Sequence, residues 1–143
     1  MTIKQISIFV ENKPGKLSAI TKLLSENNID IRALSIADTK DFGILRLIVD
    51  KPDETVDILK KAECMVTLTN VLAVCISDKP GGLAKAMETL YAANIQVEYM
   101  YAFVTKNSDD AYVILRVGKN DVAADALKEN GFKILTGSEV YDM

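Results

Sequence analysis

Hydrophobic and polar positions change period along the chain in a regular order. Ile3 to Val10 is β-branched and largely alternating, which predicts a strand. Asn12-Lys13-Pro14-Gly15 is turn chemistry, and Leu17, Ile20, Leu23 and Leu24 then repeat at helical spacing, a stripe that Asn27-Asn28 ends. Ile29 to Asp38 predicts a second strand, Thr39 to Phe42 a turn and Gly43 to Asp50 a third strand. Pro52-Asp53-Glu54 opens a second helix with acidic groups at its N-terminal dipole, with Val56, Leu59 and Ala62 expected to face the sheet. Cys64 to Thr69 predicts a fourth strand. The remainder repeats that order: strands over Val71–Ser77, Ile95–Thr105, Ala111–Val117 and Phe132–Thr136, helices over Gly81–Ala93 and Asp121–Asn130, with Leu83, Met87 and Leu90 as the apolar stripe of the first of these helices.

The shared order rests on internal self-similarity. Lys13-Pro14-Gly15-Lys16-Leu17 recurs as Lys79-Pro80-Gly81-Gly82-Leu83 at an offset of 66, which also aligns Leu24 with Leu90 and Asn28-Ile29 with Asn94-Ile95. Ile44-Leu45-Arg46 aligns with Ile114-Leu115-Arg116 at an offset of 70, and Lys51, Asp53, Asp57, Leu59 and Lys60 align with Lys119, Asp121, Asp125, Leu127 and Lys128 at 68. These offsets imply a longer turn at Lys106-Asn107-Ser108-Asp109-Asp110 and a shorter connection after the third strand of the second copy. The result is βαββαβ twice, an α+β chain of two ferredoxin-like units with antiparallel sheets, over residues 1–69 and 70–143. Asn70 alone separates the predicted strands at the junction, so the units are expected to pack closely, side by side, with edge strands continuing one surface.

Composition narrows the chemistry. The chain has 143 residues, 17 basic and 20 acidic side chains and no histidine, which excludes Ser-His-Asp and Cys-His catalysis and removes the commonest zinc ligand. The net charge of −3 argues against a nucleic-acid surface. No apolar run approaches the roughly 18 residues of a membrane span, and Met1 to Gln5 lacks signal-peptide character, so a cytoplasmic protein without membrane partner, metal or cofactor is expected. Cys64 and Cys75 lack CxxC spacing and read as small buried apolar residues.

The recurring strand–helix junction carries two readings. A helix start offers unpaired backbone N–H groups, and Gly15 and Gly81 leave room for an anion such as a carboxylate to approach them. The other reading is a helix-start device with tight packing.

The run Glu11-Asn12-Lys13-Pro14-Gly15-Lys16-Leu17, an apolar helix and Asn28-Ile29-Asp30-Ile31, with Ser77-Asp78-Lys79-Pro80-Gly81-Gly82-Leu83 and Asn94-Ile95-Gln96-Val97 in the second copy, resembles the signature of the ACT domain. The resemblance covers Ile3 to Thr136 and is to small stand-alone tandem ACT proteins. It implies a non-catalytic regulatory module that binds an amino acid between two domains, forms a homodimer and signals to a protein partner of unknown identity. The ligand would lie between the strand–helix loop of one domain and the segment after the first helix of another. Carried over by position, the resemblance implies Asn12, Lys13, Pro14, Gly15 and Leu17 with Asn28, Ile29 and Asp30 in the first copy, and Asp78, Pro80, Gly81 and Leu83 with Asn94 and Ile95 in the second. A serine-sensing member of the family has a similar ENxPG loop whose asparagine meets the ligand, which draws attention to Asn12. The second copy departs, with Asp78 for Asn12 and Gln96 for Asp30, so its site is not equivalent. Asn12 and Asp78 also read as helix caps or Asx-turns.

Other residues point elsewhere. Arg46 and Arg116, matched by the repeat, read as outer-face residues or cross-strand ion pairs. Tyr99, Tyr101 and Phe103 share one strand face and are expected to pack at an interdomain or dimer surface. An alternative to the sensor is a ligand-free dimerising scaffold. An acylphosphatase-like enzyme is weaker, because the loop has Lys13 and Lys16 but no arginine. An RNA recognition motif lacks its stacking aromatics in Ile44–Val49.

Overall fold

The computed structural model describes residues 1–38, 41–104 and 109–143. Its elements are β1 (Ile3–Glu11), α1 (Lys16–Glu26), β2 (Ile31–Asp38), β3 (Phe42–Val49), α2 (Pro52–Lys61), β4 (Met65–Ser77), α3 (Gly82–Ala92), β5 (Val97–Ala102), β6 (Asp110–Val117), α4 (Asn120–Glu129), β7 (Lys133–Ile134) and α5 (Gly137–Tyr141). Parts of the two predicted hairpin turns, at Thr39 and Lys40 and at 105–108, lie outside the described residues.

Both βαββαβ units are present, with all pairings antiparallel and the order β2-β3-β1-β4-β6-β5, β7 also lying on β4. The expected close packing takes the form of a shared strand. Where two strands parted by Asn70 are expected, β4 runs unbroken for 13 residues and changes partners in its middle: Val71 pairs with Ile3 of β1, and Leu72 pairs with Leu115 of β6. An asparagine in mid-strand keeps its backbone in the ladder, and its carbonyl also accepts from the Asn120 side-chain amide at 3.2 Å.

Three apolar clusters hold the molecule. Ile6, Ile8, Leu24, Leu47 and Leu59 fill the space between helices and sheet in the first unit, and Leu72, Leu90, Leu115 and Leu127 do so in the second. The third cluster joins the helix-free faces of both units through Ile3, Ala33, Ile48, Val71, Ala73 and Ile114, closed by Leu135 and Val140. The outer strands meet there: Ala33 bridges Phe103, and the Val104 N–H donates to the Arg32 carbonyl at 2.9 Å. Tyr99, Tyr101 and Phe103 lie at this seam, as interdomain packing requires. The Gln5 amide donates to the Tyr99 hydroxyl at 2.7 Å and its carbonyl accepts from Tyr101 at 2.6 Å, so a fully buried polar side chain is satisfied across the units. Burial, with Tyr99 alongside, pushes the Tyr101 phenol well above its ordinary value.

The register corrects the alignment of the repeats. Arg46 pairs with Ser7, and the position matching Ser7 in the second unit, Ala73, pairs with Ile114. The offset is therefore 68 throughout β3 and β6, and the insertion falls wholly in the β5–β6 turn. Arg46 and Arg116 are not counterparts. Arg46 stands over the Tyr99 ring, 3.7 Å from its centroid, whereas Arg116 meets Glu98 at 3.5 Å. Arg46 thus ties the units by a cation–π contact rather than lying solvated.

Other elements also depart from expectation. Ala62 is exposed at the C-cap of α2 and does not face the sheet, and Leu17 and Leu83 stay 40% exposed. The expected strand over Phe132–Thr136 shortens to β7, because Thr136 caps the unforeseen α5. Thr136 and Glu139 form a capping box there.

Candidate functional site

The two strand–helix junctions share a backbone design. Gly15 (φ +87°) and Gly81 (φ +92°) each occupy the N-cap in the left-handed region, where a side chain is strained. In both, the residue at the strand end donates to the facing hairpin, Asn12 N–H to Asp41 at 3.1 Å and Asp78 N–H to Asp109 at 3.1 Å. Neither helix has a side-chain cap or an acid in its first turn. α2 and α4 instead carry Asp53, Glu54 and Asp121 there, and α5 has its capping box. Along α1 the first helical bond is Ala19 N–H to Gly15, and Lys16 N–H is taken by Lys13 at 3.3 Å. Leu17 and Ser18 therefore have no intrahelical acceptor by position, and the first turn carries no acid at the positive end of the dipole.

Asn12 sits at the rim of this junction. Its Nδ2 donates to the Asp38 carboxylate at 2.6 Å, and its Oδ1 lies 3.3 Å from the place a Cβ on Gly43 would take. Asp38 orients Asn12 and the absent side chain of Gly43 leaves it room, and the sequence reading did not place either at the site. Their signal was the adjacency of strand ends in a βαββ unit. Lys13 pairs with Glu11 at 3.0 Å, and Lys13 and Lys16 together hold the Glu11 carboxyl below its ordinary value.

Asn28, Ile29 and Asp30 stand at the far end of α1, 11 residues or about 16 Å away. Asn28 and Asn94 share φ +57° and are the left-handed residues of helix C-terminal motifs, with Ile29 N–H bonded to Leu24 and Ile95 N–H bonded to Leu90, each at 2.9 Å. Asp30 N–H donates to the Asp50 carboxylate at 2.9 Å, and Asp30 C=O accepts from Asp50 N–H at 3.1 Å. The backbone donors of this segment are thus spent inside the unit. Its polar side chains are the exposed Asn28 amide and the Asp30 carboxylate, which is ion-paired with Arg32. Pro14 precedes Gly15 in the first loop, and Pro80 precedes Gly81 in the second. Within one unit, the loop and the post-helix segment do not meet.

A groove of about 890 Å³ runs beside the first loop, between α1 and the start of β4. Phe9, Ile20, Leu23, Phe42, Cys64 and Met65 line it, with Glu11, Lys16, Lys22, Glu26 and Glu63 among its charged residues. Cys64 and Cys75 are unbridged, and burial raises both thiols. Among the described residues, no cluster of His, Cys, Asp or Glu fits a metal ion, and no helix is long and apolar enough to cross a membrane.

Paired βαββαβ units fused through one strand, each opening its first helix on an uncapped left-handed glycine, define a tandem ferredoxin-like protein. The profile of the ACT domain pair family matches residues 1–143, and the chain belongs to that family. Among solved structures it is similar to protein BT0572 from Bacteroides thetaiotaomicron, at 39% identity over 100% of this chain and 98% of that one, with a TM-score of 0.93. It shares its fold with the ligand-free regulatory subunit of aspartate kinase from Thermus thermophilus, at 17% identity over 90% of this chain and 92% of that one, TM-score 0.66. It also shares it with aspartate kinase from Synechocystis, at 19% identity over 93% of this chain and 26% of that one, TM-score 0.59. No curated protein matches the chain.

Proposed function

We propose that the protein is a non-catalytic sensor that binds a free amino acid at the strand–helix loop of its first unit. The observation that carries this is the uncapped start of α1. Two backbone N–H groups and a helix start without an acid in its first turn suit an α-carboxylate, and the left-handed Gly15 leaves it an open approach, with nothing but its own chain neighbours within 4 Å of where its Cβ would be. Asn12 supplies an amide beside it, able both to donate and to accept. A ligand that also reaches the Asn28–Asp30 segment takes it from another domain, since α1 holds the two apart. This supports a homodimer in which the loop of one chain faces the post-helix segment of its partner.

The second loop takes the same backbone path, but a Cβ at Gly82 would run into the Ser77 carbonyl, so loop and strand end lie in close contact. Asp78 there offers a carboxylate where Asn12 offers an amide, which disfavours an anion. One ligand per chain is the expected stoichiometry. A cytoplasmic setting and a regulated protein partner belong to the same proposal.

Calorimetric titration of the full chain with each of the twenty amino acids tests it. The expected result is saturable binding by at least one, weakened in Asn12→Ala. Silence across all twenty overturns the sensor and leaves a dimerising scaffold.

A further inference from the structure

Arg32 lies on β2 and is 8% exposed, yet it carries a full charge. Its guanidinium makes three contacts on two pieces of chain, the end of α5 and the segment before β2. Nε donates to the Val140 carbonyl at 3.2 Å, Nη2 to the Tyr141 carbonyl at 2.9 Å, and Nη1 to the Asp30 carboxylate. The two carbonyls belong to the last turn of α5, where helix geometry leaves acceptors without internal partners. Val140 is fully buried in the cluster between the units, and the Tyr141 hydroxyl accepts from the Lys4 N–H at 2.8 Å. α5 therefore closes the seam, and Arg32 fastens it.

The charge balance singles out Asp30. A buried guanidinium held only by neutral carbonyls is poorly compensated, so the one carboxylate sets how well Arg32 stays in place. The Asp30 side chain is 67% exposed while that of Arg32 is 10% exposed, so a cation arriving from solvent reaches the carboxylate and not its partner. The second unit lacks this arrangement. At an offset of 66, Gln96 stands for Asp30 and Glu98 for Arg32, and Glu98 pairs with Arg116 on its own sheet.

We propose that the Asp30–Arg32 pair is a latch that couples the α1–β2 segment to the docking of α5 across the seam. A cationic group that draws Asp30 away loosens α5, and by linkage, loosening α5 frees Asp30 for that group. If the sensor reading above holds, the cation is the α-ammonium of the bound amino acid. The latch itself is a property of the unliganded chain.

Hydrogen exchange on the full chain decides it. The Val140 and Asp142 amides, bonded within α5 to Thr136 and Ser138, report docking. Asp30→Asn is expected to speed their exchange about tenfold while Leu72 and Leu115 amides keep their rates. Arg32→Met is expected to do the same more strongly. If it fails to fold, Asp30→Asn, altered at an exposed side chain, still decides. Unchanged exchange in α5, or a rise shared equally by the core, overturns the latch. A second arm titrates wild type and Tyr141→Phe, which loosens α5 without touching Asp30, with the twenty amino acids. A few-fold tighter binding in Tyr141→Phe supports the coupling, and equal or weaker binding overturns its sign. Silence in both proteins overturns the sensor, while the exchange result still judges the latch.

Discussion

In the first unit the left-handed glycine is followed by Lys16, and in the second the same place is held by Gly82. The backbones bond alike, Lys16 N–H to Lys13 and Gly82 N–H to Lys79, so the difference lies in the surroundings. Around the first loop, Asn12 is bonded to Asp38 and has room beside Gly43. Around the second, the matching positions are Asp78, Val104 and Ala111, and the Ser77 carbonyl lies against Gly82. Duplication copied the helix start and the left-handed turn. It did not keep the amide at the strand end, where Asp78 stands for Asn12. Both left-handed glycines have open space, and the second copy is packed tightly only at Gly82.

Exchanging the residues breaks this comparison most sharply at Gly82. Gly82→Lys installs the first unit's residue where a Cβ meets a backbone carbonyl, which cannot rotate aside. Overpacking of this kind costs roughly 3 kcal/mol, read as a lower urea midpoint at unchanged slope. The reverse change, Lys16→Gly, is expected to cost only about 1 kcal/mol, the helix-propensity difference. Equal costs would mean that the two loops are equally packed.

Gly15→Ala and Gly81→Ala come next. Each has space for a methyl group, but a positive φ makes an L-residue strained, by about 1–2 kcal/mol in thermal or urea unfolding. The stability losses should match, whereas loss of amino-acid affinity should follow Gly15→Ala alone. If Gly81→Ala weakens binding equally, both loops serve.

Asn12→Asp gives the first loop the second loop's residue. It removes the donor to Asp38 and sets two carboxylates together, at a cost of about 1 kcal/mol near neutral pH. Repulsion raises the new group's pKa above its unfolded value. The penalty is therefore present above that range and fades as pH falls and the carboxyl protonates. A calorimetric titration should also show binding lost, since the site would then repel the α-carboxylate.

The fold was legible because its signals are local and doubled. Ile20 and Leu24, Leu90, and the strands around Ile6 and Leu115 lie in the expected cores. The register was not. Ile-Leu-Arg occurs in both third strands, yet alternation alone lets a strand slip by two without changing which side is apolar, and only pairing fixes the offset. Continuity of β4 through Asn70 was hidden for a related reason, since nothing in a strand's sequence says that its partner changes midway. Of the candidate site, the glycine turns are visible as Pro-Gly pairs. The consumption of Asp30's backbone by Asp50 and of its carboxylate by Arg32 depends on contacts between segments 20 and two residues apart, which no motif records.

The smallest effect concerns the one helix that was legible but overlooked. Thr136-x-x-Glu139 is a capping-box spacing, yet the apolar run Phe132 to Leu135 before it reads as a longer strand. Lys133, together with the Thr136 backbone, holds the Glu139 carboxyl below its ordinary value of 4.5. A folded-state pKa below the unfolded one means that this stabilisation is present above the ordinary value. It is lost as pH falls through the depressed value of the folded chain. Both groups are solvent-exposed, so the shift in midpoint is small, but it should be local: α5 amide exchange rises in acid before the core amides respond. Glu139→Gln should remove that pH dependence while keeping the side-chain acceptor for the Thr136 N–H. If α5 and the core instead loosen together in acid, the C-terminal helix is an integral part of the seam rather than a separately fastened clasp.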